Sequence, residues 1–211
     1  MTRHALLLIA AAFWLTGCHR SSDNSPLDVA VIGQDLSLAD PNQYILTAPQ
    51  AALISATSQG LVRYDAAGQI EPGLAIRWAI SEDGLYYTFR LADIDGIDAD
   101  LVARKLRAVI ARRSRNGLKP ILGAIDEIVA VTPEVVEIRL KAARPNLLDL
   151  LAQPEMAIVN GKASTGPLMI TGRNGTSTML RPVPEAGSDD TPVTDELGRH
   201  QVNLRAERSS V

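Results

Sequence analysis

Apolar and polar residues alternate most regularly over residues 76–91. Leu85, Tyr87, Phe89 and Leu91 interleave with Tyr86, Thr88 and Arg90, the period of two that gives a strand one apolar and one wet face. Just before them, Ile76, Trp78 and Ile80 alternate with Arg77 and Ala79. Ser81-Glu82-Asp83-Gly84 separates the two runs, and Asp and Gly tolerate the backbone angles of a tight reversal. The stretch predicts a β-hairpin with one buried side.

The period changes further on. Val102, Leu106, Val109 and Ile110 recur at i, i+4, i+7 and i+8, which predicts an amphipathic helix ending near Arg113. Asp98 or Asp100 is its expected N-cap. Arg104, Lys105, Arg107, Arg112 and Arg113 take the other side, a solvated face with cations favourably near the helix C-terminus. A weaker helix is expected over residues 48–59, with Ala51, Leu53, Ile54 and Ala56 on one side and Gly60 as the stop. A short one should follow Pro145, where a missing N–H does no harm. Residues 124–131 and 135–140 read as a second hairpin across Thr132-Pro133-Glu134. Further strands are expected at 27–32, 61–64, 156–159, 168–171 and within 200–207. Glu71-Pro72-Gly73 reads as a breaker, and from Gly172 to Gly198 the chain turns polar, with no strand expected there.

Composition adds limits. The 211 residues are 46% hydrophobic and 21% charged, an ordinary globular balance. Net charge is −3, and −4 without residues 1–17, whose one charged side chain is Arg3. That mild acidity gives no electrostatic case for nucleic-acid binding. Trp78, Tyr86, Tyr87 and Phe89 concentrate the scarce aromatics around the first hairpin. The single cysteine, Cys18, and the scattered His4, His19 and His200 have no metal-ligand spacing. Asp93, Asp95, Gly96 and Asp98 lack the later bidentate Glu and the flanking helices of a calcium loop. No Gly-x-Ser-x-Gly elbow, His and Cys pair or phosphate loop is present, so the sequence offers no catalytic residue, no metal site and no cofactor.

The N-terminus has its own pattern. A short basic start precedes ten apolar residues, 5–14, too few for a permanent membrane span but suited to a secretory signal. Leu15-Thr16-Gly17-Cys18 then resembles the bacterial lipobox. The resemblance implies removal of residues 1–17 and acylation at Cys18, with anchoring of roughly 0.8 kcal/mol per buried methylene. Residues 18–26 would be a polar tether.

Trp78-x-x-Ser81-x-Asp83-Gly84-x-x-Tyr87-Thr88-Phe89-x-Leu91 resembles the signature of family 5 extracellular solute-binding proteins, the peptide and nickel receptors of ABC importers. Gly60 to Asp65, Pro72-Gly73-Leu74-Ala75, Asp95-Gly96 with Asp98 to Val102, Ser164-Thr165-Gly166-Pro167, and Asp35 to Pro41 match the family's other motifs in order. The resemblance implies an α/β (α+β) fold, the N-terminal part of a class II periplasmic-binding-protein-like architecture, with a small mixed sheet and two main helices. It implies a first-lobe strand and loop at 27–47, an inserted small α/β domain at 48–160, and a return to the first lobe at 161–211. Family members are longer, so it also implies a truncated receptor.

The expected function is the substrate-binding lipoprotein component of an importer for peptides or related small solutes. Its partners would be that solute, the ABC permease subunits and, through the lipid, a membrane of the bacterial envelope, on its periplasmic or extracellular face. By rough alignment with the family, ligand contacts would come from Gln34, Asp35 and Leu36. The alternative is an envelope-tethered interaction module that docks on another protein and binds no solute.

Overall fold

The structure is a computed structural model and describes residues 26–160, 164–183 and 201–208. The signal, Cys18 and the tether up to residue 25 lie outside the described residues, as do the three histidines. In chain order the first elements are β1 (Leu27–Ile32), α1 (Ala48–Thr57), β2 (Val62–Tyr64), β3 (Ile70–Pro72), β4 (Ala75–Ile80) and β5 (Tyr86–Leu91). Then come α2 (Ala99–Ile110), β6 (Ile125–Thr132), β7 (Val135–Leu140) and α3 (Leu147–Leu151). The last are β8 (Leu168–Asn174), β9 (Ser177–Pro182) and β10 (Val202–Glu207).

Strands β4, β5, β7 and β6 form an antiparallel sheet in that order. The period-two run of β5 buries Tyr87, Phe89 and Leu91, as the alternation predicts. Phe89 pairs with Trp78 on one side and Val136 on the other, so one face carries a continuous apolar row. Ala99, Val102, Ala103, Leu106 and Val109 of α2 pack onto that face. Burying each of the larger side chains contributes roughly 1.5–3 kcal/mol. Asp98 starts the helix, its carboxylate accepting the Leu101 N–H at 2.7 Å. The Ser81–Gly84 turn closes the hairpin, with Gly84 in the left-handed region at φ 68° and the Asp83 carboxylate accepting from the Ser81 hydroxyl at 2.5 Å.

The other four-stranded sheet runs β1, β10, β9, β8. It is mixed, because β1 pairs with β10 in parallel while the remaining pairs are antiparallel. Helix α1 covers one of its faces, with Leu53 packed against Leu180 and Leu204. A two-stranded β2–β3 ribbon completes the strands.

Several local expectations are corrected. Ile76 and Ile80 do not face inward and are 52% and 46% exposed. β4 is an edge strand, and a bulge between Ala75 and Arg77 shifts its register, so the alternation of the sequence does not carry onto the buried face. Residues 156–159 are not a strand: Pro154 opens a single 3₁₀ turn, Pro154–Met156, and extended backbone follows. The Glu71-Pro72 breaker lies inside β3, where Pro72 ends a short edge pairing with Val62. The polar region after Gly172 contains β9, whose inward Thr178 hides the alternation. Helix α2 stops at Ile110, before Arg113.

The two packing units are joined by adjacent crossings. The Thr57 carbonyl accepts from the Ser164 hydroxyl at 2.7 Å, Thr165 N–H at 3.1 Å and Gly166 N–H at 3.0 Å. Gln59 N–H in turn donates to the Thr165 hydroxyl at 3.2 Å, and Ile158 N–H to the Gln59 carbonyl at 3.0 Å.

Candidate functional site

The loop between β1 and α1 borders a cleft of about 580 Å³. Both ends of the loop are pinned. Gly33 N–H donates to the Glu207 carbonyl at 2.7 Å, which ties the exit of β1 to the end of β10. At the other end Thr47 and Gln50 form a capping box: each side chain accepts from the other residue's backbone N–H, at 3.4 and 3.0 Å. The middle is held from the second unit. Arg115 N–H donates to the Asn42 carbonyl at 2.9 Å, and the buried Asn116 amide donates to Asn42 Oδ1 at 3.3 Å and to the Glu155 carbonyl at 2.7 Å.

The three residues expected to contact ligand take different places. Asp35 lines the cleft, whereas Gln34 and Leu36 do not. Gln34 is exposed, and its carbonyl accepts from the Thr47 hydroxyl at 3.2 Å. Leu36 is half-buried against the Leu53, Leu180 and Leu204 core. Asp35 has φ 66°, a conformation uncommon for a residue with a Cβ. It is held there by the buried Gln50, whose amide donates to Asp35 Oδ2 at 2.9 Å and to the Ser37 hydroxyl at 3.3 Å.

Asp35 and Asp40 are the charged residues of the cleft lining. The Asp40 carboxylate is engaged by its own loop, accepting from Asn42 N–H at 2.9 Å and the Gln43 amide at 3.2 Å. Tyr44 and Ile45 stand on the rim, 56% and 76% exposed. Such a lining offers carboxylate oxygens and an exposed aromatic side chain, which suits binding a solute bearing hydrogen-bond donors. Sequence reasoning missed Tyr44 and Gln50. The exposed Tyr44-Ile45 pair and the Thr47-x-x-Gln50 capping spacing were the available signals. Among the described residues, no three of His, Cys, Asp or Glu gather as a metal site, and no helix is long and apolar enough to cross a membrane.

No protein-family model matches the chain. Curated relatives do. The chain is 33% identical over 119 residues to the nickel-binding periplasmic protein of Escherichia coli (strain K12), covering 54% of this chain and 23% of that one. It is 30% identical over 141 residues to the glutathione-binding protein GsiB of Shigella flexneri, covering 64% and 27%. The chain is homologous to the family 5 extracellular solute-binding proteins. It spans about a quarter of the length of these family 5 relatives. The fold is likewise that of class II periplasmic binding proteins. The PBP AgaA from A.tumefacien R10, solved in complex with agropinic acid, superposes with a TM-score of 0.67 at 21% identity, over 87% of this chain and 40% of that one. The family 5 relatives are solute-binding transport proteins rather than enzymes.

Proposed function

We propose that this chain serves as a substrate-binding component of an ABC-type importer for peptides or related small solutes. The carrying observation is the 33% identity over 119 residues to a periplasmic solute-binding protein, on a chain whose β1–α1 loop borders a cleft of about 580 Å³. In this reading Asp35 is the ligand-facing member of the Gln34, Asp35 and Leu36 group. Gln50 fixes its carboxylate, and Tyr44 adds an aromatic surface. In this reading the lobe bearing the loop comprises the described residues 27–57, 164–183 and 201–207, which takes α1 out of the expected 48–160 insertion because Leu53 packs with Leu180 and Leu204, and the second unit comprises residues 61–158.

The reading includes the envelope. Residues 1–17 act as a lipoprotein signal, and Cys18 bears the acyl anchor that holds the chain to a bacterial membrane facing the periplasm or the exterior. The N-terminal pattern of ten apolar residues followed by Leu-Thr-Gly-Cys supports this. Permease subunits of the importer are the expected protein partners.

Calorimetry of the full chain against nickel salts, glutathione and defined di- and tripeptides tests the binding arm. Saturable heat that Asp35→Asn weakens supports it, and absence of heat for every class rejects it. Fractionation of cells expressing the full chain tests the anchor. Cys18→Ser should move the protein out of the membrane fraction, and unchanged membrane association rejects the lipid assignment.

A further inference from the structure

A second cleft, about 210 Å³, opens where the two packing units meet, away from the β1–α1 loop. Its walls come from the end of α1 and the crossing after it (Ser58, Gln59), from β2 (Arg63, Tyr64) and from the turn after α3 (Gln153). Arg63 is the one charged residue of the lining. Its Nε lies 2.8 Å from a Glu71 carboxylate oxygen across the β2–β3 ladder, yet that buried N–H has no acceptor in hydrogen-bonding geometry. The terminal guanidinium nitrogens have no hydrogen bond among the described residues, while the side chain remains 41% exposed. Tyr64 is fixed beside it, its hydroxyl donating to the Asp149 carbonyl at 3.0 Å and accepting from the Gln153 amide at 3.2 Å.

We infer that this cleft is a binding site for a small monocarboxylate. The planar fork of a guanidinium matches a carboxylate with two parallel N–H···O bonds. Glu71 already offsets part of the Arg63 charge, so a singly charged planar anion fits better than phosphate, which would need further cations. A cleft of about 210 Å³ has room for a compact acid. The Gln59 amide and the Ser58 hydroxyl line the same cleft and can bond the rest of such a molecule, while both Gln153 N–H groups are taken by the Tyr64 hydroxyl and the Asp149 carbonyl. The site is independent of the proposed import function, and occupancy of the loop cleft would register at Asp35 and Tyr44 instead.

The test is a propionate titration of the full chain followed by amide and side-chain NMR, with sodium chloride at matched ionic strength as the reference. Saturable shifts at Gln59, Arg63 and Gln153 are expected, with Arg63→Gln raising the half-saturation concentration by about tenfold or more. Arg63→Gln combined with Glu71→Gln leaves no unpaired carboxylate. It should keep the native urea midpoint and lose the same shifts. Shifts that track chloride, that persist undiminished in either variant, or that saturate at lower concentration with inorganic phosphate would overturn the assignment.

Discussion

Replacing Gly166 by alanine probes the joint between the two units. A Cβ at this position would lie 2.6 Å from the Thr57 carbonyl carbon, 2.7 Å from Ser58 N and 2.8 Å from the Ala56 carbonyl oxygen. All three are backbone atoms, so no rotamer change relieves the contact. The same residue donates its N–H to the Thr57 carbonyl, which also takes the Ser164 hydroxyl and Thr165 N–H. Moving the 164–167 segment away to make room would stretch all three bonds at once. Overpacking of a rigid site costs up to about 3 kcal/mol, and each weakened hydrogen bond adds about 1 kcal/mol. Gly166→Ala should therefore destabilise the chain by at least about 3 kcal/mol, or ~6–12 °C in melting temperature for a chain of this size. Gly172→Ala is the matched control, since a Cβ there meets nothing within 4 Å. It should change stability by less than about 1 kcal/mol. Urea unfolding followed by far-UV circular dichroism and tryptophan fluorescence measures both. Equal midpoints for the two variants would refute the claim that the crossings are sterically locked.

Other consequences are open to measurement. Asp98→Ala removes the carboxylate that accepts Leu101 N–H at 2.7 Å, and should cost about 1 kcal/mol in urea unfolding; Asp100→Ala, two residues further on in the first turn and not the cap, should cost less. Burial raises the Tyr87 phenol above its ordinary 10.0. The stability linked to it is complete below pH 10 and is lost as pH rises through the raised folded value. Tyr87→Phe should flatten that alkaline decline relative to the parent chain while losing the 3.1 Å bond to the Arg144 carbonyl, worth about 1 kcal/mol. An unchanged alkaline slope would contradict this. The Ser81 hydroxyl, and then Leu85 N–H, hold the Asp83 carboxylate below its ordinary 3.8. Its contribution is present above that value and disappears as pH falls through the lowered one, so Asp83→Asn should make stability less sensitive to acid in that window.

The parts of the fold visible in the sequence are those where one periodicity governs burial. In β5 and in the Val102–Val109 face of α2, each side chain meets either core or water, and spacing alone separates the two. β4 defeats the same reasoning because its apolar residues sit on an exposed edge and a bulge resets the register. β9 is hidden for the opposite reason. Its buried positions are Thr178 and Leu180, and a threonine pointing inward looks like loop sequence. Residues 156–158 are apolar because they are buried, and hydrophobicity without period cannot say whether the backbone is strand or turn. The candidate cleft was legible only as a loop. The left-handed backbone at Asp35 has no glycine to announce it, and its hold on Gln50 spans fifteen positions that no local pattern connects.

The parallel seating of β1 beside β10 has a bearing on how the chain is made. Leu27 registers with Val202 and Ile32 with Glu207, so β1 leaves the ribosome about 175 residues ahead of its described neighbour. Until β10 has been made, Val29, Val31 and Ile32 offer an unmated apolar ribbon to whatever passes. Contacts this distant in sequence form slowly, and waiting strand edges invite association with other chains. Substitutions in residues 202–207 would then lower the yield of folded protein by prolonging that exposure as well as by loosening the Leu204 packing.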